Sequence, residues 1–334
     1  MQDNEREVLV DKSSSGRVRP WKKLKLKAIQ LSDIYKSLYD EELEKTLYSV
    51  DPEYWSKRAE RTFQCCDMLM FDEYQDGQKK LTGSSSCRVR LCPLCSWRRS
   101  LKIQVNARKV FEYVMNQGEY QYAFLTLTVP NCKAEELAET LTEMFSAWNR
   151  FMGYKKIKSA VLGWYRALEV THNVNPDSKS YDTYHPHFHC ILVLPKKYYK
   201  KYYIPRDEWL ALWRKAMRDD SITQVDIRKV KPKDNGFVSA ICEAAKYTVK
   251  SNDYILPENW HLSMNAVRTL DLALAKRRLV AYGGFLKEIH RDLNLDDEVD
   301  GDLVHIDEDA IYKGGVKKQI VAIWSVGYQE YYIW

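Results

Sequence analysis

The sequence predicts an α+β fold with a central antiparallel sheet and helices on one face. Four runs rich in β-branched and aromatic residues have the composition of strands, at 122–129, 163–171, 185–194 and 222–230. Three segments have the apolar spacing of amphipathic helices, at 133–152, 206–218 and 236–250. Because the two kinds of segment alternate as β-α-β-β-α-β-α, we expect one sheet covered by helices.

The second and third strands are joined by a polar loop that contains the turn-forming sequence Asn175-Pro-Asp-Ser. We therefore expect these two strands to pair as a hairpin. Outside the sheet we expect helices at 29–49, 98–117 and 266–292, and aromatic strands within 321–334. The elements suggest four segments: a basic arm and helix at 1–60, a cysteine-rich element at 61–120, a core at 121–264, and a C-terminal extension with an acidic linker at 265–334.

Composition excludes several classes of protein. The chain has no uninterrupted apolar run of about 18 residues and no apolar run near its start, so we expect neither a transmembrane helix nor a secretory signal. The eight cysteines are clustered unevenly, which favours metal ligation in a reducing compartment, and hence a cytoplasmic protein. The net charge is +6 although residues 291–310 are strongly acidic. The rest of the chain is therefore more basic, which suits a polyanionic partner.

Three of the seven histidines lie within the sequence His185-Pro-His-Phe-His189. Alternate residues of an extended strand point to the same face, so His187 and His189 are expected to lie side by side. Two neutral imidazoles on one face of a strand can bind a divalent metal ion. The alternative is a solvated strand edge, but the apolar run that begins at Cys190 favours the metal site.

A metal ion held by two histidines usually needs a third protein ligand. Glu169 is the best candidate, because it lies on the strand expected to pair with the histidine strand. Carboxylate and imidazole ligands suit Mn²⁺ or Mg²⁺, and Mn²⁺ is the better match for nitrogen. The alternative for Glu169 is a surface ion pair with Arg166 or Lys158.

The sequence Glu243-Ala-Ala-Lys-Tyr247 places a carboxylate and a phenol four residues apart, on the same face of the expected helix at 236–250. A tyrosine is a weak nucleophile at its ordinary pKa of about 10. Beside a metal ion that polarises a phosphodiester, and with Lys246 and Lys250 nearby, its oxygen becomes competent to attack phosphorus. Ordinary packing explains most of the 23 tyrosines, and the histidine strand is what singles out Tyr247.

A second metal site is expected in the cysteine-rich element. The sequence Cys87-Arg-Val-Arg-Leu-Cys92-Pro-Leu-Cys95 ends in a Cys-x-x-Cys pattern, and Cys65 and Cys66 lie upstream. Four thiolates in a tetrahedral arrangement bind Zn²⁺. The expected ligands are Cys87, Cys92, Cys95 and either Cys65 or Cys66. The alternative is that these cysteines are ordinary buried apolar residues.

Basic residues flank both expected metal sites and are candidate contacts with DNA phosphates. The candidates are Arg88, Arg90, Arg98 and Arg99 near the cysteines, and Lys246 and Lys250 near the tyrosine. The lysines and arginines within 17–27 form either another DNA-binding arm or a disordered tail. Charge alone leaves a solubilising role open.

Three motifs occur in the order Phe124-Leu-Thr-Leu-Thr128, His185-Pro-His-Phe-His189 and Glu243-Ala-Ala-Lys-Tyr247. They resemble the three motifs of the HUH endonucleases, whose core has a central antiparallel sheet of the ferredoxin-like, split βαβ type. The cysteine-rich lead and the Glu-x-x-x-Tyr form are similar to those of the rolling-circle plasmid replication initiators of Gram-positive bacteria. This resemblance also favours Cys65 over Cys66 as the fourth zinc ligand.

The resemblance implies a role for each residue. His187 and His189 would hold the metal ion, and Tyr247 would attack the scissile phosphate. The products would be a 5′-phosphotyrosine and a free 3′-OH that primes synthesis. Replication would be terminated by strand transfer, which is a ligase activity, or by hydrolysis, for which Glu243 would activate water. The implied partners are the plasmid origin, as double-stranded and single-stranded DNA, and the host helicase and polymerase. The sequence leaves a homodimer open.

Two alternatives stay open at this point. HUH relaxases and transposases share the same core, although relaxases commonly place the tyrosine before the histidines, whereas Tyr247 follows them. A zinc-dependent DNA-binding regulator with an inactive nuclease core also fits the cysteine cluster. It is disfavoured because every expected catalytic residue is present. The resemblance extends over roughly residues 60–290.

Overall fold

The computed structural model describes residues 7–231, 240–241, 243–244, 249–295, 297, 301–306 and 312–334. The chain forms two compact units. Unit 1 comprises Met1–Lys102, Ile255–Val267 and Asp300–Trp334, and unit 2 comprises Ile103–Tyr254 and Arg268–Val299. This division differs from the four expected segments, because the N-terminal and C-terminal parts of the chain belong to the same unit.

The described helices, in chain order, are α1 (Trp21–Leu43), α2 (Pro52–Phe63), α3 (Pro93–Gln117), α4 (Leu137–Gly153), α5 (Lys155–Ala160), α6 (Arg206–Met217), α7 (Trp260–Leu274) and α8 (Phe285–Asp292). The strands are β1 (Met68–Tyr74), β2 (Lys79–Ser84), β3 (Tyr120–Thr128), β4 (Gly163–Asn173), β5 (Thr183–Pro195), β6 (Val225–Val230), β7 (Val280–Gly284), β8 (Val316–Ser325) and β9 (Glu330–Ile333). No helix in the described ranges is long and apolar enough to cross a membrane.

Unit 1 contains a four-stranded antiparallel sheet with the order β2-β1-β8-β9. The aromatic strands expected near the C-terminus are confirmed as β8 and β9, whereas the β1–β2 hairpin was not expected. Helix α2 begins where its sequence provides a cap: the Asp51 carboxylate accepts a hydrogen bond from the Glu53 backbone N–H at 3.0 Å, and Pro52 occupies the first helical position.

Unit 2 is built on a five-stranded antiparallel sheet with the order β6-β3-β5-β4-β7. The four expected strands and the β4–β5 hairpin are confirmed. Local hydrogen bonds shape the hairpin loop: the Asn175 backbone N–H donates to the Asn173 side chain at 3.2 Å, and the Asp177 N–H donates to the Asn175 side chain at 3.1 Å. These side-chain turns fix the loop and therefore the register of the two strands.

Helices cover both faces of this sheet, so the expectation of helices on one face is wrong. On one face the side chains of α4 and α6 pack against Phe188, with ring-centroid distances of 5.8 Å to Trp148 and 6.4 Å to Trp213. On the other face α3 contributes Phe111 to a buried cluster that also contains Ile191 of β5. The sheet is buried on both sides because both sets of alternating side chains are largely apolar.

The single helix expected at 266–292 is also wrong. This region contains the end of α7, then strand β7, then α8. In β7, Gly283 faces Trp164 of β4, and a Cβ atom at Gly283 would lie 2.1 Å from the indole ring. Glycine at this position therefore lets the fifth strand pair closely with β4. Of the helix expected at 236–250, Ala240, Ile241, Glu243 and Ala244 are helical, and the other residues up to 248 lie outside the described ones.

Candidate functional site

Three side chains in unit 2 meet at one point on the sheet. The register of β4 and β5 places Glu169 directly opposite His187. The Glu169 Oε2 atom lies 2.9 Å from His189 Nε2 and 3.4 Å from His187 Nε2. All three residues are at most 9 % exposed. Two imidazole nitrogens and a carboxylate oxygen, all within 4.8 Å of one another, can hold a divalent metal ion with positions left for a substrate.

The other nitrogen of each imidazole is also engaged, which sets the direction of the ring. His187 Nδ1 lies 3.1 Å from the backbone carbonyl of His185, and because a carbonyl only accepts, Nδ1 is the donor. His189 Nδ1 lies 3.3 Å from Thr126 Oγ1, on the adjacent strand β3. His185 therefore contributes a backbone oxygen behind the site, and Thr126 belongs to the motif at 124–128. Such partners orient metal-binding histidines.

The charge state of Glu169 suits a ligand. Burial raises the pKa of its carboxyl group, but hydrogen bonds and charge from His187 and His189 outweigh burial and hold the pKa well below its usual range. The carboxylate is therefore ionised at neutral pH. The ion pair with Arg166 that was considered for it does not form, because the Arg166 guanidinium lies 4.7 Å from the Phe188 ring centroid, on the opposite face of the sheet.

Described residues on either side of Tyr247 in the sequence contact the histidine-bearing face. Before it, the Tyr165 hydroxyl donates to the Ala244 carbonyl at 3.4 Å, and Ala244 belongs to the buried cluster on this face. After it, the Lys250 ammonium lies 3.5 Å from Glu169 Oε1. Glu243 is helical and partly exposed. Tyr247 and Lys246 themselves lie outside the described residues.

A second cluster lies in unit 1, where four buried cysteines converge: Cys65, Cys87, Cys92 and Cys95. The sulfur of Cys65 lies 3.6 Å from that of Cys95 and 3.5 Å from that of Cys92. Four sulfurs at 2.3 Å around a tetrahedral Zn²⁺ would be about 3.8 Å apart. A disulfide would need about 2.05 Å. The spacing therefore fits a zinc site.

The cluster includes one of two neighbouring cysteines. Cys65 belongs to the group of four sulfurs that all lie within 4.8 Å of one another, and Cys66 does not, although its sulfur lies 3.8 Å from that of Cys65. The sequence left this choice open, and the geometry favours Cys65.

Two basic residues hold the backbone around the cysteines, and one of them, Lys25, was expected in a DNA-binding arm or a disordered tail but lies in helix α1. The Lys25 ammonium is fully buried, donates to the Cys65 carbonyl at 2.9 Å and pairs with Asp67 at 2.6 Å. The Arg61 guanidinium donates to the Cys87 carbonyl. Both side chains come from helices that precede the cluster in sequence. The sequence gives no signal of this role, because Lys25 cannot be distinguished there from a surface lysine.

One of the four arginines proposed to contact DNA is buried and has structural contacts instead, and a second has a structural contact but is partly exposed. Arg98 is 2 % exposed and donates to the backbone carbonyls of Leu303 at 2.9 Å and Val304 at 3.1 Å. Arg99 donates to the Arg88 carbonyl at 2.7 Å. We therefore retain Arg88, which is exposed, and Arg90 and Arg99, which are partly exposed, as DNA-binding candidates in this region.

Comparison with known proteins identifies the family. The family model described as "Replication protein" matches residues 78–332. A "Protein rep" from Bacillus amyloliquefaciens is 38% identical over 98% of this chain and 98% of its own length. A "Protein rep" from Streptococcus pneumoniae is 33% identical over 99% of this chain and 97% of its own length. No solved structure gives a significant match. On this evidence, the chain belongs to the replication protein family.

Proposed function

We propose that this protein initiates rolling-circle replication of a plasmid by nicking one DNA strand at the origin, with Tyr247 as the nucleophile. The observation that carries the proposal is the convergence of His187, His189 and Glu169 on one point, with Lys250 beside them. Membership of the replication protein family supports a replication role. The geometry adds a site suited to polarising a phosphodiester. A relaxase or transposase would share this site, whereas a DNA-binding regulator would not need it.

The residues present fit Mn²⁺ or Mg²⁺. The two Nε2 atoms and the Glu169 carboxylate are oriented by their own hydrogen bonds and are almost fully buried. When bound there, a divalent ion would polarise the scissile phosphate and orient it toward the attacking group. Lys250 adds a positive charge that favours an approaching phosphate.

The proposed reaction is a transesterification. The Tyr247 oxygen forms a bond to phosphorus while the bond between phosphorus and the 3′ oxygen breaks. The tyrosine loses its phenolic proton and the 3′ oxygen gains one, so that a 5′-phosphotyrosine and a free 3′-OH result. The contacts of Ala244 and Lys250 with the histidine-bearing face support this role, because Tyr247 lies between them in the sequence.

We also propose that Cys65, Cys87, Cys92 and Cys95 bind Zn²⁺. The proposal is supported by their burial and by sulfur–sulfur distances close to those expected around a tetrahedral Zn²⁺. Backbone N–H groups point at two of these sulfurs, from Cys87 to Cys65 at 3.4 Å and from Arg88 to Cys95 at 3.3 Å. Such donors stabilise thiolates, which are the form that binds zinc. The exposed Arg88 then places a positive charge beside the four-cysteine cluster.

Replacing Tyr247 by phenylalanine tests the proposed nucleophile. We expect nicking of a supercoiled plasmid carrying the cognate origin, in the presence of Mn²⁺, to fall by at least about 10⁴-fold, because the attacking oxygen is absent. Binding of origin DNA should be retained, since only one hydroxyl is removed. The assay is conversion to open circles, with denaturing gels to detect protein attached to DNA. A covalent adduct formed by Tyr247→Phe would place the nucleophile elsewhere.

Replacing Glu243 by alanine separates initiation from termination. We expect the first nick to occur at close to the wild-type rate, because Glu243 is not part of the metal-binding group. Release of the finished strand should fail, because no carboxylate would accept a proton from the attacking water. The measurement is the ratio of released circles to protein-linked products, with Glu243→Gln as the isosteric control. Normal release by Glu243→Ala would remove the termination role.

A further inference from the structure

The eight residues that follow β5 form an unusual surface in unit 2. Their sequence is Lys196-Lys-Tyr-Tyr-Lys-Lys-Tyr-Tyr203, with half of the residues basic and half aromatic. Tyr199 is 41% exposed and Tyr203 is 54% exposed, and all four lysines are exposed. Tyrosine rings are usually at least partly buried, so two exposed rings close together are unusual. We call residues 196–203 the Lys-Tyr segment.

Three of the four tyrosines of the Lys-Tyr segment form one cluster, in which one ring is buried. Tyr198 is 2% exposed, and its hydroxyl accepts a hydrogen bond from the Ile204 backbone N–H at 3.3 Å. Its ring centroid lies 5.0 Å from that of Tyr199 and 6.0 Å from that of Tyr203. The two exposed rings are therefore held by packing on a fixed third ring, which lowers the entropy that they would lose on binding a ligand.

Positive charge surrounds these rings. The Lys229 ammonium, from strand β6, lies 4.8 Å from the Tyr199 ring centroid. Within the part of the chain that the structure describes, Lys196 is the one lysine of the segment that pairs with a carboxylate, that of Glu119 at 2.5 Å. The other three lysines keep their charge available. Three exposed cations that pair with no carboxylate among the described residues suit a polyanion.

We propose that the Lys-Tyr segment, together with Lys229, binds single-stranded DNA. Unpaired bases can stack on the rings of Tyr199 and Tyr203 while the lysines contact the phosphates, which is how proteins bind single strands with little sequence preference. Paired bases in a duplex do not expose their faces to such rings. A lipid surface fits less well, because the exposed apolar groups are phenols alone and offer little area for acyl chains. The proposed function supplies the source of the strand, since nicking at an origin exposes one.

The stacking part of the proposal is tested with full-length protein and a fluorescent oligo(dT) of about 15 nucleotides, a length typical of such sites. We expect the double variant Tyr199→Ala/Tyr203→Ala to bind at least about tenfold more weakly by fluorescence anisotropy, and Tyr199→Phe/Tyr203→Phe to stay within about twofold, because phenylalanine keeps the stacking face. Tyr48→Ala is the matched control, because Tyr48 is 59% exposed on unit 1 and lies in an acidic stretch of the sequence. It should bind like the wild type.

The charge part is tested by salt dependence. For single strands the slope of log K against log salt is about −0.7 per phosphate neutralised. We therefore expect Lys200→Ala/Lys201→Ala to make the slope shallower by about 1.4. An unchanged slope together with unchanged affinity of the tyrosine variant would overturn the proposal.

Two further outcomes would also overturn it. If Tyr199→Ala/Tyr203→Ala lost as much affinity for a duplex of the same length as for oligo(dT), the segment would bind phosphates without stacking. If Tyr199→Ala/Tyr203→Ala lost binding to anionic phospholipid vesicles but kept its affinity for oligo(dT), the segment would be a membrane-binding surface. Oligo(dT) contains no origin, and binding is measured without added divalent ion, so this result does not depend on nicking. Failure of the Lys-Tyr proposal is thus distinguishable from failure of the Tyr247 assignment.

Discussion

The double variant His187→Ala/His189→Ala is expected to lose both divalent-ion binding and nicking. Removal of an outer partner of a metal ligand typically weakens metal binding by about 10–100-fold, and removal of two direct ligands should exceed that. Glu169 would keep Lys250 as its charge partner but lose both imidazoles. Because a bound ion supplies several kcal/mol of charge stabilisation, nicking should fall by about 10³-fold or more.

The measurement is Mn²⁺ titration followed by electron paramagnetic resonance, alongside the nicking assay and thermal unfolding. His185→Gln is a matched control from the same strand, because His185 contacts His187 through its backbone carbonyl, which the substitution keeps. We expect this control to bind Mn²⁺ within a few-fold of the wild type. Wild-type Mn²⁺ affinity in the double variant, with the fold intact, would show that the ion is held elsewhere.

The part of this site that follows from local rules could be predicted from the sequence. Alternation along a strand places His187 and His189 on one face, and the polar loop between β4 and β5 predicts the hairpin that brings Glu169 opposite them. These three residues lie within 21 positions of one another in the sequence, so few long-range contacts were needed. The cysteine cluster was similarly accessible, because Cys-x-x-Cys spacing itself constrains the geometry.

What the sequence did not predict depends on contacts between distant segments. Lys25 supports the cysteines from α1, 40 positions before Cys65, and nothing in its local sequence indicates burial. Arg61 contacts the carbonyl of Cys87, 26 positions later in the chain. Strand β7 was taken for part of a helix, although Gly283 and Gly284 are unfavourable in a helix interior. The reason for glycine there is the indole ring of Trp164, more than 100 residues earlier in the chain. Arg98 was wrongly expected to contact DNA, because its carbonyl partners at 303–304 lie more than 200 residues later in the chain.

The variant Cys92→Ser is expected to release zinc and to destabilise unit 1. Cys92 is fully buried, and its sulfur lies 3.5 Å from that of Cys65, so serine would leave three thiolates and a hydroxyl that binds zinc poorly. In small zinc domains metal binding contributes about 10–16 kcal/mol of apparent free energy. Part of that stabilisation should be lost here, because the β1–β2 hairpin and α3 flank the cluster in the sequence. Zinc content by mass spectrometry should fall well below one equivalent, and unfolding should begin at a lower temperature.

The matched control is Cys66→Ser, which makes the same replacement of sulfur by oxygen at the cysteine next to Cys65. Cys66 is as buried as Cys65 but lies outside the group of four, so this variant should keep one equivalent of zinc. Loss of zinc from Cys66→Ser, with retention in Cys65→Ser, would reverse the ligand assignment. A full equivalent of zinc in Cys92→Ser would contradict the four-cysteine site altogether. A lower unfolding temperature with zinc retained would indicate a packing defect, so the metal content and not the stability decides between a zinc site and an apolar cysteine cluster.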